Sequence, residues 1–196
     1  MIRRLTTLLV LGALAGGCAR SASELEMRPA DRPKQTLRQA FTSAYIARDG
    51  MGDWEIVATT LPRPRSAAKS GVLRPLADPP LRQVLHIRVK WWPMIWRVKD
   101  NPAGTNATIT WYVMPSDDPD EPMLMVYQGA GLVTVEAYDE TSVRLAIRDA
   151  TLAPGRRVGK VSDPLGTFRL RGSLKARRDA AGVRSLLASV DADWAR

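Results

Sequence analysis

From residue 85 to residue 177 this chain repeats one pattern: apolar and polar residues alternate with a period of two. Leu85, Ile87, Val89 and Trp91 alternate with His86, Arg88 and Lys90. Ala107, Ile109, Trp111 and Val113 alternate with Thr108, Thr110 and Tyr112. Val133, Val135 and Ala137, then Val143, Leu145 and Ile147, repeat the pattern, and so does the run from Phe168 to Arg177. Met123 to Tyr127 is a short apolar run. A helix needs a period of 3.6; a period of two puts one face of a strand in a core and the other in water. Turn residues separate the runs: Asn101-Pro-Ala-Gly104, Ser116 to Pro122, Asp139-Glu-Thr141, Pro154-Gly155 and Asp163-Pro-Leu-Gly166. Short strands at this spacing, with no helix between them, predict an antiparallel β-sandwich or a curved open sheet.

Before this region the period differs. Leu37, Phe41 and Ala44 fall on one helical stripe, so residues 34–48 are expected to form an N-terminal helix, stopped by Asp49-Gly50-Met51-Gly52. Trp54 to Leu61 reads as a strand, and residues 62–82, with five prolines, as a long loop. Val183, Leu186, Leu187, Val190 and Trp194 predict a C-terminal helix capped by Asp179, placed over an edge or open end of the sheet. The expected class is therefore mainly β, of the α+β kind, with one helix at each end. At 45% hydrophobic and 25% charged, the composition is that of an ordinary globular chain.

The N-terminus carries a different signal. Arg3 and Arg4 precede the uncharged, mostly apolar run from Leu5 to Ala15, and Ala15-Gly16-Gly17 lead to Cys18, the only cysteine. Eleven such residues are too few to span a bilayer but suit the h-region of a signal peptide. The segment resembles the lipobox of bacterial lipoproteins. The resemblance covers residues 1–18 and implies cleavage before Cys18 and acylation of its sulfur, with palmitate in the anchor. It also implies a lipid-anchored place in the bacterial cell envelope, with Ala19 favouring the periplasmic face of the outer membrane. The expected organisation is a signal peptide over 1–17, a flexible tether over 18–33, with little apolar content and two prolines, and a single β-rich domain over 34–196.

One cysteine excludes an intrachain disulfide, and one cysteine with one histidine cannot fill a zinc cluster. No cofactor or metal is implied. Residues 19–100 carry a surplus of seven basic side chains, 101–140 hold seven acids and no base, and 141–196 again hold a basic surplus of seven. In an envelope protein such a pattern fits anionic lipid, an envelope polymer or a protein partner rather than nucleic acid.

Candidate sites are sparse. Trp91, Trp92 and Trp96 lie within six residues, broken by Pro93. Packing in the core, where a strand bends, competes with stacking on sugars and with a membrane or partner contact. Core packing is favoured, because most aromatics pack. The acidic turn Asp117 to Glu121 reads as a solvated hairpin loop, having no EF-hand spacing. His86 falls on the outward strand face without a hydrolase signature around it. Arg169, Arg171, Lys175, Arg177 and Arg178 read as charges guarding a sheet edge. Asn106-Ala-Thr108 is a glycosylation sequon in form only. The expected function is a non-catalytic binding or structural module; the alternative is an envelope hydrolase acting on glycan or peptidoglycan.

Overall fold

The computed structural model describes residues 23–60, 82–92, 104–116 and 123–194. Among these are nine strands and one helix: β1 (Glu24–Pro29), β2 (Leu37–Ala40), β3 (Ser43–Arg48), β4 (Trp54–Thr59), β5 (Arg82–Val89), β6 (Ala107–Ser116), β7 (Met123–Tyr138), β8 (Ser142–Val158), β9 (Phe168–Arg178) and α1 (Ala180–Trp194). The fold is mainly β, as the alternation requires. No described helix is long and apolar enough to cross a membrane.

All nine strands share one sheet in the order β2-β1-β9-β3-β4-β5-β6-β7-β8, and β8 also pairs with β9. The sheet is curved, and further than the sequence suggests: it closes into a barrel. Neighbours run antiparallel except β3 and β9, which meet in parallel at Tyr45↔Arg177 and Ile46↔Arg178. At one end β1 is wedged between β2 and β9, with Met27 opposite both Leu37 and Leu170. At the other end, where β1 is absent, β3 touches β9 directly. Closure matters because an open edge is a row of unpaired backbone groups.

The expected N-terminal helix is not there; β2 and β3 occupy residues 37–48. They form one bent strand. The Phe41 amide donates to Ser23 on the β1 side, and the Thr42 amide donates to Thr59 on the β4 side. At that bend the inward phase slips by one residue. Leu37 and Phe41 pack inward before it, Ala44 and Ile46 after it. The slip turns a period of two into an apparent 3.6, which is why the stripe looked helical. The expected tether is corrected in the same way. From Glu24 to Pro29 it is β1, whose Leu25 and Met27 are buried. Two apolar residues, Leu25 and Met27, are too short an alternation to stand out.

Two expected strands are one. Met123–Tyr138 runs unbroken through Gln128-Gly129-Ala130-Gly131, where the apolar alternation lapses. Pro154-Gly155, expected as a turn, lies inside β8. Pairing with β9 ends at Leu152↔Phe168, so beyond it β8 has a free edge on that side, and proline is tolerated at an edge.

The middle of the barrel is filled. Phe41, Trp111, Tyr127 and Phe168 form its central aromatic cluster, with Tyr127 and Phe168 edge to face at 5.1 Å. A second apolar layer lies outside the wall. Val57, Val84, Met114, Leu124 and Val126 face outward, and α1 covers them with Val183 and Val190, flanked by Leu186 and Leu187. Without the helix that wall would expose a contiguous apolar patch. The helix thus covers a face rather than an edge or an open end. Asp179 is its cap, as expected: its carboxylate accepts from the Gly182 amide at 2.9 Å and its carbonyl from Val183 at 3.1 Å.

Candidate ligand cavity

The connections of the barrel alternate between its ends. β3, β5 and β7 finish at one end, where β4, β6 and β8 start, and β4, β6 and β8 finish at the other, where β5, β7 and β9 start. The described residues leave the interior open at the second end. There, beyond the aromatic cluster, lies a cavity of about 530 Å³. Pockets for small molecules fall at roughly 300–1,000 Å³.

Each wall follows from strand phase. Met27 on β1, Val113 on β6 and Met125 on β7 point inward with their alternating neighbours and supply apolar sides. Trp111 and Tyr127, 2% and 1% exposed, form the floor. Methionine is flexible and polarisable, so a wall built on it adapts to its contents. The β8–β9 loop forms the far side through Val161 and Leu165.

That loop is held by Asp163. The Tyr127 hydroxyl donates to its Oδ1 at 2.8 Å, the Leu165 and Gly166 amides donate to the same oxygen, and Arg157 Nη2 reaches Oδ2 at 3.1 Å. Arg32 adds a bond to the Pro164 carbonyl at 2.5 Å. Burial acts to raise the Asp163 pKa, but the bonds from Tyr127, Gly166 and Leu165 and the Arg157 charge together bring it below the ordinary carboxylate value. Burial, then the Asp163 carboxylate, push the Tyr127 hydroxyl far above its usual range. A carboxylate whose folded pKa is depressed stabilises the fold above its unfolded value of about 3.9, and that stabilisation is lost as pH falls through the folded value. The thermal midpoint is therefore expected to drop as pH goes from 5 to 3. Asp163→Asn is expected to lower the midpoint at pH 7 and flatten that drop. Parallel midpoint-against-pH curves for the two proteins, followed by circular dichroism, would count against this role.

Two polar groups in the cavity wall are unusual. Gln83 is 5% exposed and sits on the inward phase of β5, with Leu85 and Ile87. Its amide nitrogen donates to Gln39 Oε1 at 2.9 Å, while its Oε1 is buried with no hydrogen-bond partner among the described residues. The Trp111 Nε1 donor is likewise buried and unpartnered. The register pairs Leu85 with Trp111 and Gln83 with Val113, so Gln83 and Trp111 are diagonal neighbours on the inner face, about 7–8 Å apart at the backbone. An unmet buried donor or acceptor costs about 1–3 kcal/mol, so a pair of them in one cavity calls for an explanation. Both atoms have essentially no accessible surface, so they lie behind the cavity wall rather than on it.

The sequence-derived candidates lie elsewhere. Trp91 and Trp92 follow β5, at the opposite end of the barrel. Trp91 is 50% exposed. Trp92 is partly buried against the core, its ring 6.1 Å from that of Trp54. Trp96, Cys18 and the acidic turn at 117–121 lie outside the described residues. His86 is on the outer face as expected, with Nε2 3.5 Å from Glu55 Oε1. Its neighbours Arg88 and Lys90 hold the β3–β4 turn through Asp49 and Asp53 at 2.5–3.0 Å. The basic residues of β9 guard no edge, because β9 is paired on both sides. Arg169 and Arg171 bind Asp149 on the outer surface instead. Strand order, which sequence does not give, decides that point.

Gln83 carried a readable signal, being a polar residue on the inward phase of a strand. Trp111 carried none that separates a cavity floor from ordinary core. No protein-family model matches this chain, and neither does any curated protein or solved structure.

Proposed function

We propose that this chain is a non-catalytic binding protein, anchored in the cell envelope by lipid on Cys18, whose barrel carries one small apolar molecule. The lipobox-like segment supports the anchor. The cavity above Trp111 carries the binding reading. Its lining is mostly apolar, with Arg38, Gln39, Gln83, Lys160 and Ser162 as polar side chains beside Tyr127, and among the described residues that line it there is no aspartate, glutamate or histidine to perform acid–base hydrolysis. The ligand class is therefore an aliphatic or terpenoid molecule small enough for a cavity of about 530 Å³.

The test is uptake of decan-1-ol, read by displacement of the fluorescent probe N-phenyl-1-naphthylamine. One-to-one, saturable displacement is expected. Val113→Phe fills the chamber from β6 and is expected to weaken decanol binding at least tenfold while leaving the circular dichroism spectrum unchanged. Equal binding by the filled variant would sink the reading.

A further inference from the structure

Among the described residues the large hydrophobic side chains that remain exposed are Met51 at 77%, Trp91 at 50% and Tyr138 at 77%. All three lie at the end of the barrel opposite the cavity. Met51 is in the β3–β4 turn, Trp91 in the β5–β6 connection and Tyr138 where β7 enters its turn with β8. Scattered single hydrophobics on a surface need no explanation, but here every exposed one sits on one rim. Trp54 and Trp92 pack beside them at that same end, and Arg48 stacks over Trp54 at 4.8 Å. Trp and Tyr with flanking Arg are the residues that settle at a membrane–water interface.

The geometry of the N-terminal connection points the same way. Ser23, the first described residue, is tied to β9, where its Oγ accepts from the Lys175 amide at 3.1 Å. Five links separate Cys18 from Ser23, a span of at most about 18 Å fully extended. From Lys175 the rim carrying the exposed aromatics is three residues away along β9, about 10 Å, whereas the cavity end at Phe168 is seven residues away, about 23 Å. A lipid on Cys18 can therefore reach a bilayer beyond the aromatic rim and cannot reach one beyond the cavity end.

We infer that Met51, Trp91 and Tyr138 form a membrane-docking rim that rests on the bilayer carrying the Cys18 lipid, so that the cavity opens away from it. This orientation rests on the lipid-anchor reading. It makes the protein a carrier that exchanges its ligand with the aqueous side rather than drawing it from the bilayer beneath. The turns stay in place under contact. The Asp49 carboxylate accepts from the Met51 and Asp53 amides, and Asp139 accepts from the amides and hydroxyls of Thr141 and Ser142. Asn106 Nδ2 fixes the Trp91 carbonyl.

The test uses the full-length acylated protein in phosphatidylethanolamine–phosphatidylglycerol vesicles. Single cysteines replace Met51, Tyr138 and, at the cavity end, the exposed Lys160, each labelled with the environment-sensitive NBD fluorophore. The labels at 51 and 138 are expected to shift to the blue and to be quenched by doxyl-labelled lipid at least threefold more than the label at 160. Equal quenching at the three sites, or stronger quenching at 160, overturns the orientation. Mass spectrometry of the N-terminus reads the anchor separately. If Cys18 carries no lipid, the anchor reading fails by itself. Selective quenching at 51 and 138 in the Cys18→Ser protein, where only the introduced thiol takes the label, still supports the docking rim, and its absence overturns it.

Discussion

Asn106→Ala is expected to cost about 4 kcal/mol of stability, a large share of the roughly 5–15 kcal/mol that holds a domain folded. Asn106 is 2% exposed. Its Nδ2 donates to the Trp91 carbonyl at 2.9 Å and to the Val133 carbonyl at 2.8 Å, and its Oδ1 accepts from the Val133 amide at 2.8 Å. The side chain thus acts as a piece of backbone, joining β7 to the β5–β6 connection where the ladder cannot. Its own amide donates to the Gly131 carbonyl at 3.1 Å, and its carbonyl accepts from Lys90. Truncation leaves the buried N–H and C=O of Val133 unpaired, at about 1–3 kcal/mol each. For a chain of this size the thermal midpoint should fall by about 10 °C. Thr108→Ala removes the same sequon at an exposed position and should change stability by less than about 0.5 kcal/mol. A loss at Asn106 no larger than at Thr108 would mean that these bonds do not matter.

Gly129→Ala is expected to be comparably damaging for a different reason. A Cβ there would stand 1.9 Å from the Thr151 carbonyl oxygen, 2.8 Å from its carbon and 2.9 Å from Leu152 Cα. All three are backbone atoms of β8, so no side-chain rotation relieves the clash. The β7–β8 ladder must part locally, at a cost of about 3 kcal/mol. Gly155→Ala is the control. It lies across the same ladder, but its added Cβ would meet nothing closer than 3.4 Å, and a change under about 1 kcal/mol is expected. Chemical denaturation separates the two. Equal midpoints would show that the sheet has slack at Gly129.

These two residues also mark what the sequence could and could not disclose. The period-two runs were legible because each strand of a filled barrel must alternate, and β5, β6 and β9 lie where the alternation puts them. The cap at Asp179 was legible because capping is local chemistry. The N-terminal helix was misread because the bend at Phe41–Thr42 shifts the inward phase by one residue, and three apolar positions across such a slip mimic a helical stripe. The apolar alternation lapses at Gly129 and Gly131, yet these glycines are the condition for the strand's continuity, since β8 passes too close for a side chain. Asn106 read as an empty sequon because its partners lie 15 and 27 residues away. Closure of the sheet, and with it the cavity, depends on which strand lies beside β9. No local pattern encodes that.

The central claim, that the chamber above Trp111 is a ligand site, is tested most directly by quenching Trp111 itself. Titration with 10-bromodecan-1-ol is expected to remove the Trp111 part of the fluorescence along a saturable one-to-one curve. Trp111→Phe should lose that quenchable part while the other tryptophans report as before. Quenching that rises without saturation, or that persists unchanged in Trp111→Phe, would contradict the account and place the alcohol on the surface rather than in the barrel.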